Sequence, residues 1–213
     1  MDKYTRPIWS ESALLTIDMQ KDFSQPHAPA YIDGTEKVVP KLQRLVQHYR
    51  SRDLPIIHMI RLYLKDGTNV DLCRRKSVEN GNFVVPVGSV GADLVPELHP
   101  EEKQTMLMDI NVLFRRKPQP LSRREWLLYK PRWGAFYQTG LEHLLQDLQV
   151  STLVVAGCNF PNCPRTTIYE ASERDYRTVL VRDAVSGLYS RGEKELNNIG
   201  VGLYSVEAIM HKA

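Results

Sequence analysis

Three side chains that could share one reaction stand at the ends of apolar runs. Asp18 follows ALLTI, Lys130 follows WLLY, and Cys163 lies in the loop after TLVVA. An aspartate can take a thiol proton, a lysine can hold the negative charge, and a thiolate can attack a carbonyl carbon. The chemistry such a set supports is acyl transfer through a thioester. The other two cysteines are separated from Cys163 by their surroundings. Cys158 comes directly after Gly157 at the end of an apolar run, where a small residue packs, and Cys73 is read as packing too. Cys163 precedes Pro164 and a helical pattern, and proline is favoured in a first helical turn because its missing N–H would be unpaired there. A thiol at a helix N-terminus near a lysine is expected to ionise below the usual thiol range. Backbone N–H groups of the loop 159–163 are placed to hold an oxyanion.

These residues need a scaffold, and the surrounding pattern supplies one. Residues 13–17 form a short apolar run that reads as a strand buried on both faces. Residues 35–52 carry Val38, Val39, Leu42, Leu45, Val46 and Tyr49 at helical spacing, with Pro40 near the start. IIHMIRLY then completes a βαβ unit with a right-handed crossover. WLLYK, a helix over 140–148, a strand over 152–156, a helix in PRTTIYEASERDY and a strand in TVLVRDA continue the alternation. A last helix over 192–201 and an edge strand over 204–208 close it. Between 65 and 124 glycine and proline break the pattern, and such an insertion is expected to shape a substrate pocket over the sheet. The whole reads as an α/β fold: one doubly wound, mostly parallel sheet flanked by helices, with sites beyond the carboxyl ends of its strands.

Composition bounds the alternatives. The 213 residues are 42% hydrophobic and 25% charged, with a net charge of +3 and mixed signs, so a single globular domain over 1–213 is expected. Neither nucleic acid nor a membrane is an expected partner. Three cysteines with no C-x-x-C spacing indicate no disulfide framework and no zinc ribbon, and the expected location is cytoplasmic.

The runs LLTIDMQKDF, WLLYK with the following GAFYQTGLEHLL, and VVAGCNFPNCPRTTIYEASERDYRTVLVRDAVSG resemble the isochorismatase-like cysteine hydrolases. The resemblance covers most of the chain outside 65–124. It implies an Asp–Lys–Cys triad at Asp18, Lys130 and Cys163, and an oxyanion hole from the amides of Asn159 and Cys163. It implies a cis peptide at Cys158–Asn159, and a homodimer or homotetramer. The activity implied is hydrolysis of a C–N bond in an amide, lactam, ureide or carbamoyl group, on a small molecule. The segment CNFPNCPRTTIYEASERDY is similar to a subgroup that includes streptothricin hydrolase. Nicotinamidases of the superfamily carry an Asp-x-His and a later histidine as metal ligands near the second strand. This chain has only His58 there, so no metal and no cofactor are expected.

Around the triad, Gln20, Phe23, Trp133, Phe136 and Phe160 are the candidate substrate-binding residues. Arg165 and Thr166 read as braces of the loop, and Asp183 as a structural cap. The rival to hydrolysis is a redox-sensing or non-catalytic member, in which Cys163 oxidises and Cys158 resolves it.

Overall fold

Strands that are apolar on both faces must be covered on both sides, and that requirement organises the molecule. A computed structural model describes residues 2–100 and 107–213; residues 101–106 of the irregular insertion lie outside the described residues. In chain order the elements are β1 (Ser12–Ile17), α1 (Lys21–Ser24), α2 (Thr35–Ser51), β2 (Ile56–Ile60), α3 (Leu72–Glu79) and α4 (Ile110–Phe114). Then come β3 (Gln119–Ser122), β4 (Glu125–Tyr129), α5 (Leu141–Asp147), β5 (Thr152–Gly157) and α6 (Cys163–Ser172), followed by β6 (Arg177–Val185), α7 (Ser190–Asn198), β7 (Gly202–Tyr204) and α8 (Val206–Met210). The strands form one seven-stranded sheet in the order β3-β4-β2-β1-β5-β6-β7. Only β3 runs antiparallel to its neighbour.

Alternate residues of each strand enter different cores, as a period of two requires. Leu14, Val154, Val179 and Val181 join Leu42, Leu45, Val46 and Tyr49 of α2 on one face. Ala13, Leu15, Ile17, Leu153, Val155 and Leu180 join Leu141 and Leu145 of α5 and Ile168 of α6 on the other. The α/β expectation is met, with helices on both faces.

Several local readings are corrected. Residues 204–208 do not form an edge strand: β7 ends at Tyr204, and Val206–Met210 is helical, with the Ser205 hydroxyl capping Ala208 N and Asp183 Oδ1 accepting from Val206 N at 2.8 Å. Among its described residues the insertion holds two short α-helices, two single-turn 3₁₀ helices and β3, whose QPLS sequence gives no alternating signal. His58 is built into a buried hydrogen-bond chain. Its Nδ1 meets Thr16 Oγ1 at 2.7 Å and its Nε2 meets Glu125 Oε1 at 2.8 Å, while Arg50 Nη2 donates to the same Glu125 oxygen at 2.7 Å. This chain ties β1, β2 and β4 to α2 through the sheet.

Candidate active site

Neighbouring strands β1 and β5 sit where the winding reverses, the position at which open α/β sheets gather their sites. Asp18 follows β1 with φ at 52°, a left-handed backbone that costs a non-glycine residue energy and recurs at functional positions. Its amide donates to Met59 O at 2.9 Å, which fixes the turn against β2. Lys130 follows β4, and its amide is held by Ile60 O at 2.9 Å. Cys163 opens α6, with Pro164 in the first turn. Gly157 allows the close approach of β5 to β1: its φ is 114°, and a Cβ there would lie 2.4 Å from Ile17 O.

The three side chains come together. Lys130 Nζ donates to Asp18 Oδ2 at 2.8 Å, and Lys130 is fully buried. Asp18 Oδ1 is buried without a partner, and the Asp18 carboxylate interacts with the Cys163 thiol. The expected lowering of the thiol pKa is corrected. Burial pushes the Cys163 thiol up, the Asp18 charge pushes it further, and Lys130 and Arg61 offset only part. The cause is that only 5% of Cys163 is exposed, so desolvation outweighs the helix start. At rest the site is a neutral thiol facing a carboxylate already paired to a lysine.

The loop before the nucleophile is also corrected. No peptide bond among the described residues is cis, so Cys158–Asn159 is trans. Cys158 N donates to Ile17 O, Phe160 N to Ser186 O, and Asn162 N to Asn159 O. Among the described residues, the amides of Asn159 and Cys163 donate to no protein group. Both expected oxyanion donors are therefore unengaged without a cis bond.

Of the candidate pocket residues, some line cavities and others do not. Trp133 borders a groove of about 560 Å³ with Asp71, Cys73, Arg132, Tyr137 and Glu170. Phe23 borders a second cavity of about 360 Å³ with Ile32, Tyr63 and Arg74. Gln20 does not face a pocket: its Nε2 donates to Arg61 O and Ala92 O, each at 2.7 Å, and its Oε1 accepts from Arg61 N. It clamps the insertion to β1 and β2. Phe136 packs against Tyr176 in the core, because the chain turns to give Tyr137 the groove. Phe160 is fully buried beside Tyr189 and under Gly192. Cys73 is exposed, not packed. Arg165 and Thr166 do brace: Arg165 pairs with Glu195 at 2.6 Å, and Thr166 Oγ1 donates to Asn162 O at 3.0 Å.

One residue was missed from sequence. Arg61, just after β2, is 1% exposed and donates from Nη2 to Cys163 Sγ at 3.9 Å. Its Nη1 donates to Asp71 Oδ2 at 2.7 Å and to Pro131 O at 3.1 Å, and its Nε has no partner. Burial alone would lower the guanidinium pKa, but Asp18 and the other acidic groups around it raise it on balance. The signal was present: an arginine inside the apolar run IIHMIRLY has no reason to be buried unless something pairs with it.

Fold and site together define an α/β protein with a buried Asp–Lys–Cys cluster at the sheet's switch point. The chain belongs to the isochorismatase family, matching the Isochorismatase domain over residues 12–110 and 113–199. It is 32% identical over 200 residues, 91% of each chain, to a protein of Arabidopsis thaliana described as a probable inactive nicotinamidase. It is 28% identical over 178 residues to the maleamate amidohydrolase of Pseudomonas putida, covering 84% of this chain and 73% of that one. Among solved structures, an isochorismatase family protein from Desulfovibrio vulgaris superimposes with a TM-score of 0.79 at 28% identity, covering 93% and 96% of the two chains. Characterised relatives in the family are amidohydrolases.

Proposed function

We propose that this protein is a cysteine amidohydrolase that cleaves a C–N bond of a small amide-type substrate through a thioester on Cys163. The observation that carries the reading is a buried Asp18 carboxylate that interacts with the Cys163 thiol, its Oδ2 held by Lys130 and its Oδ1 left without a partner. Asp18 Oδ1 takes the Sγ proton as sulfur attacks the carbonyl carbon. The amides of Asn159 and Cys163 hold the oxyanion, and the Lys130 and Arg61 charges stabilise it and the thiolate. When the tetrahedral species collapses, the C–N bond breaks and the nitrogen leaves with the proton from Asp18. Water then attacks the thioester, gives its proton to Asp18, and releases the acid as the thiol re-forms.

A thiol that stays protonated at rest suits this order, since the thiolate forms only with substrate present. It argues against the redox-sensing rival, which needs a standing thiolate. A second reading, a member without turnover, is favoured by the description of the plant relative as probably inactive. The two are separated by ammonia release from a panel of short primary amides, ureides and N-carbamoyl compounds. Wild type is expected to turn over at least one, and Cys163→Ala to lose at least about 10⁴-fold in kcat. Full turnover by Cys163→Ala overturns the proposal.

A further inference from the structure

Lys130 and Arg61 both act on the nucleophile, and they are held differently. Ile60 of β2 stands opposite Tyr129 of β4, so Arg61 and Lys130, each the next residue, leave the sheet side by side. Lys130 Nζ donates to Asp18 Oδ2 at 2.8 Å and to Arg132 O at 3.4 Å. Among the described residues, the N–H that reaches Cys163 Sγ is Arg61 Nη2, at 3.9 Å. The Lys130 charge offsets more of the upward push on the resting thiol than Arg61 does, but its ammonium is bound to the carboxylate, and the Arg61 donor is bound to sulfur. Arg61 is fixed at both its backbone and its guanidinium. Gln20 accepts from Arg61 N at 2.8 Å and donates to Arg61 O at 2.7 Å. Nη1 donates to Pro131 O at 3.1 Å and to Asp71 Oδ2 at 2.7 Å, and Tyr63 Oη donates to that same Asp71 oxygen at 2.6 Å. Burial opposes the Asp71 charge, but Arg61 and the Tyr63 bond hold its carboxyl below the usual carboxylate range, while burial pushes the Tyr63 phenol up and keeps it neutral. Asp71 immediately precedes α3, yet its side chain caps no amide of that helix. Its buried carboxylate serves the guanidinium instead.

This arrangement keeps its charge balance through proton transfer. At rest Asp18 and Asp71 are paired with Lys130 and Arg61, and the thiol is uncharged. When Asp18 takes the Sγ proton, its negative charge passes to sulfur and the sum over these groups stays neutral. Arg74, half-buried on α3, adds a further positive charge acting on the sulfur and donates to Tyr63 Oη at 3.3 Å. Moving a charge within a balanced buried cluster avoids the desolvation cost that a lone thiolate would carry there. A donor already aimed at sulfur needs no reorganisation as the charge arrives. Resting on the amidohydrolase reading for what the sulfur then attacks, we propose that Arg61 is a catalytic residue that holds the charge on Sγ, and that Asp71, bridged to Tyr63, is the positioning residue that aims it. The Arg61 bond acts twice. It holds the charge as the S–H bond breaks and the C–S bond forms. It acts again when the C–S bond breaks, its electron pair returns to sulfur, and the proton on Asp18 restores the thiol.

Alkylation of Cys163 by iodoacetamide between about pH 8.5 and 10.5, followed by peptide mass mapping, reads the thiolate and needs no turnover. Arg61→Met is expected to slow it about threefold or more, because losing a cation beside a thiol raises its pKa by about one unit or more and the added basicity regains only about half of that in nucleophilicity. Asp71→Ala is the deciding variant. If Asp71 were only a negative charge near the sulfur, its removal would speed alkylation; as the residue that aims Arg61, its removal is expected to slow it. Tyr63→Phe changes no charge and is expected to slow it less, in the same direction. In an Arg61→Met background, Asp71→Ala is expected to add nothing. Faster alkylation in Asp71→Ala overturns the proposal, as does a wild-type rate in Arg61→Met. An Asp71→Ala effect that persists without Arg61 overturns it as well, since that marks a structural role. Where Asp71→Ala does not fold, Tyr63→Phe decides, and a rate at or above wild type overturns the positioning role. In amide turnover the Arg61→Met loss is expected on kcat, about 10²-fold, with KM kept; a loss on KM alone makes Arg61 a substrate-binding group and overturns the proposal. If no amide is turned over while the alkylation order holds, the amidohydrolase reading fails and the roles of Arg61 and Asp71 at the sulfur stand.

Discussion

Three cysteines in three environments give the most direct residue-scale expectations. Cys73 is exposed, whereas Cys158 and Cys163 are buried with thiols pushed up, Cys158 chiefly by burial and then by the Asp18 charge. At neutral pH Cys73 is expected to label first with iodoacetamide, and Cys163 to gain reactivity only above the usual thiol range; rate-resolved peptide mapping checks the order. Lys130→Met removes the cation from a buried pair and leaves the Asp18 charge uncompensated, so a loss of about 3–5 kcal/mol in unfolding free energy is expected, read by urea titration. Asp18 and Lys130 were legible because each ends an apolar run, Cys163 because Pro164 marks a helix start after it, and the resemblance to the cysteine hydrolases joined the three into one set. Arg61 gives no such signal, because apolar Leu62 and Tyr63 follow it and hide where the strand stops. The thiol's direction was misread for a physical reason: a helix start is visible in Pro164, but the depth to which a loop buries its cysteine is not.

At the scale of elements, the site depends on how closely β1 and β5 run. A Cβ at position 157 meets the Ile17 backbone, which belongs to a central strand and cannot move aside. Gly157→Ala is expected to cost more than about 2 kcal/mol, from strain at positive φ and the clash together, and to displace the Cys158–Cys163 loop. Circular dichroism melts and Cys163 alkylation on one variant check both. The network through β4 sets an acid limit. Burial opposes ionisation of Glu125, but hydrogen bonds from His58 and Arg50 hold its carboxyl down to about 2, against an ordinary value of 4.5. A depressed folded-state value stabilises above the unfolded pKa and is lost as pH falls through the folded one, so the contribution, about 3 kcal/mol, fades between pH 4.5 and 2. Urea midpoints across that range should fall more steeply in wild type than in Glu125→Gln. The regular elements were readable because β1, β2, β5 and β6 are apolar on both faces and α2 has a clean helical stripe. The antiparallel β3 and the helix at 206–210 were not, since one is an edge strand with a proline and the other is a five-residue helix defined by its Ser205 and Asp183 caps.

Across the whole molecule, the alternation of strand and helix determined the sheet, and the sheet's reversal between β1 and β5 determined where chemistry can gather. What alternation does not determine is the pocket. Phe136 and Phe160 are aromatic neighbours of site residues in the sequence, yet both serve the core, while Tyr137 and Tyr63 line the cavities. Their burial follows from loop geometry after Lys130 and Gly157, which period and propensity do not encode. The insertion similarly supplies Asp71, just before α3, and Arg74 within it, a helix with no apolar stripe to announce it. If Cys163 carries the acyl group, an activated acyl donor will mark it without knowledge of the natural substrate. Mixing the enzyme with p-nitrophenyl acetate, quenching in acid within the burst and mapping peptides by mass is the measurement. One acetyl group per chain is expected on the Cys163 peptide, labile to hydroxylamine and lost in Asp18→Asn. A burst that survives in Cys163→Ala, or acetylation confined to Cys73 and surface lysines, would contradict it.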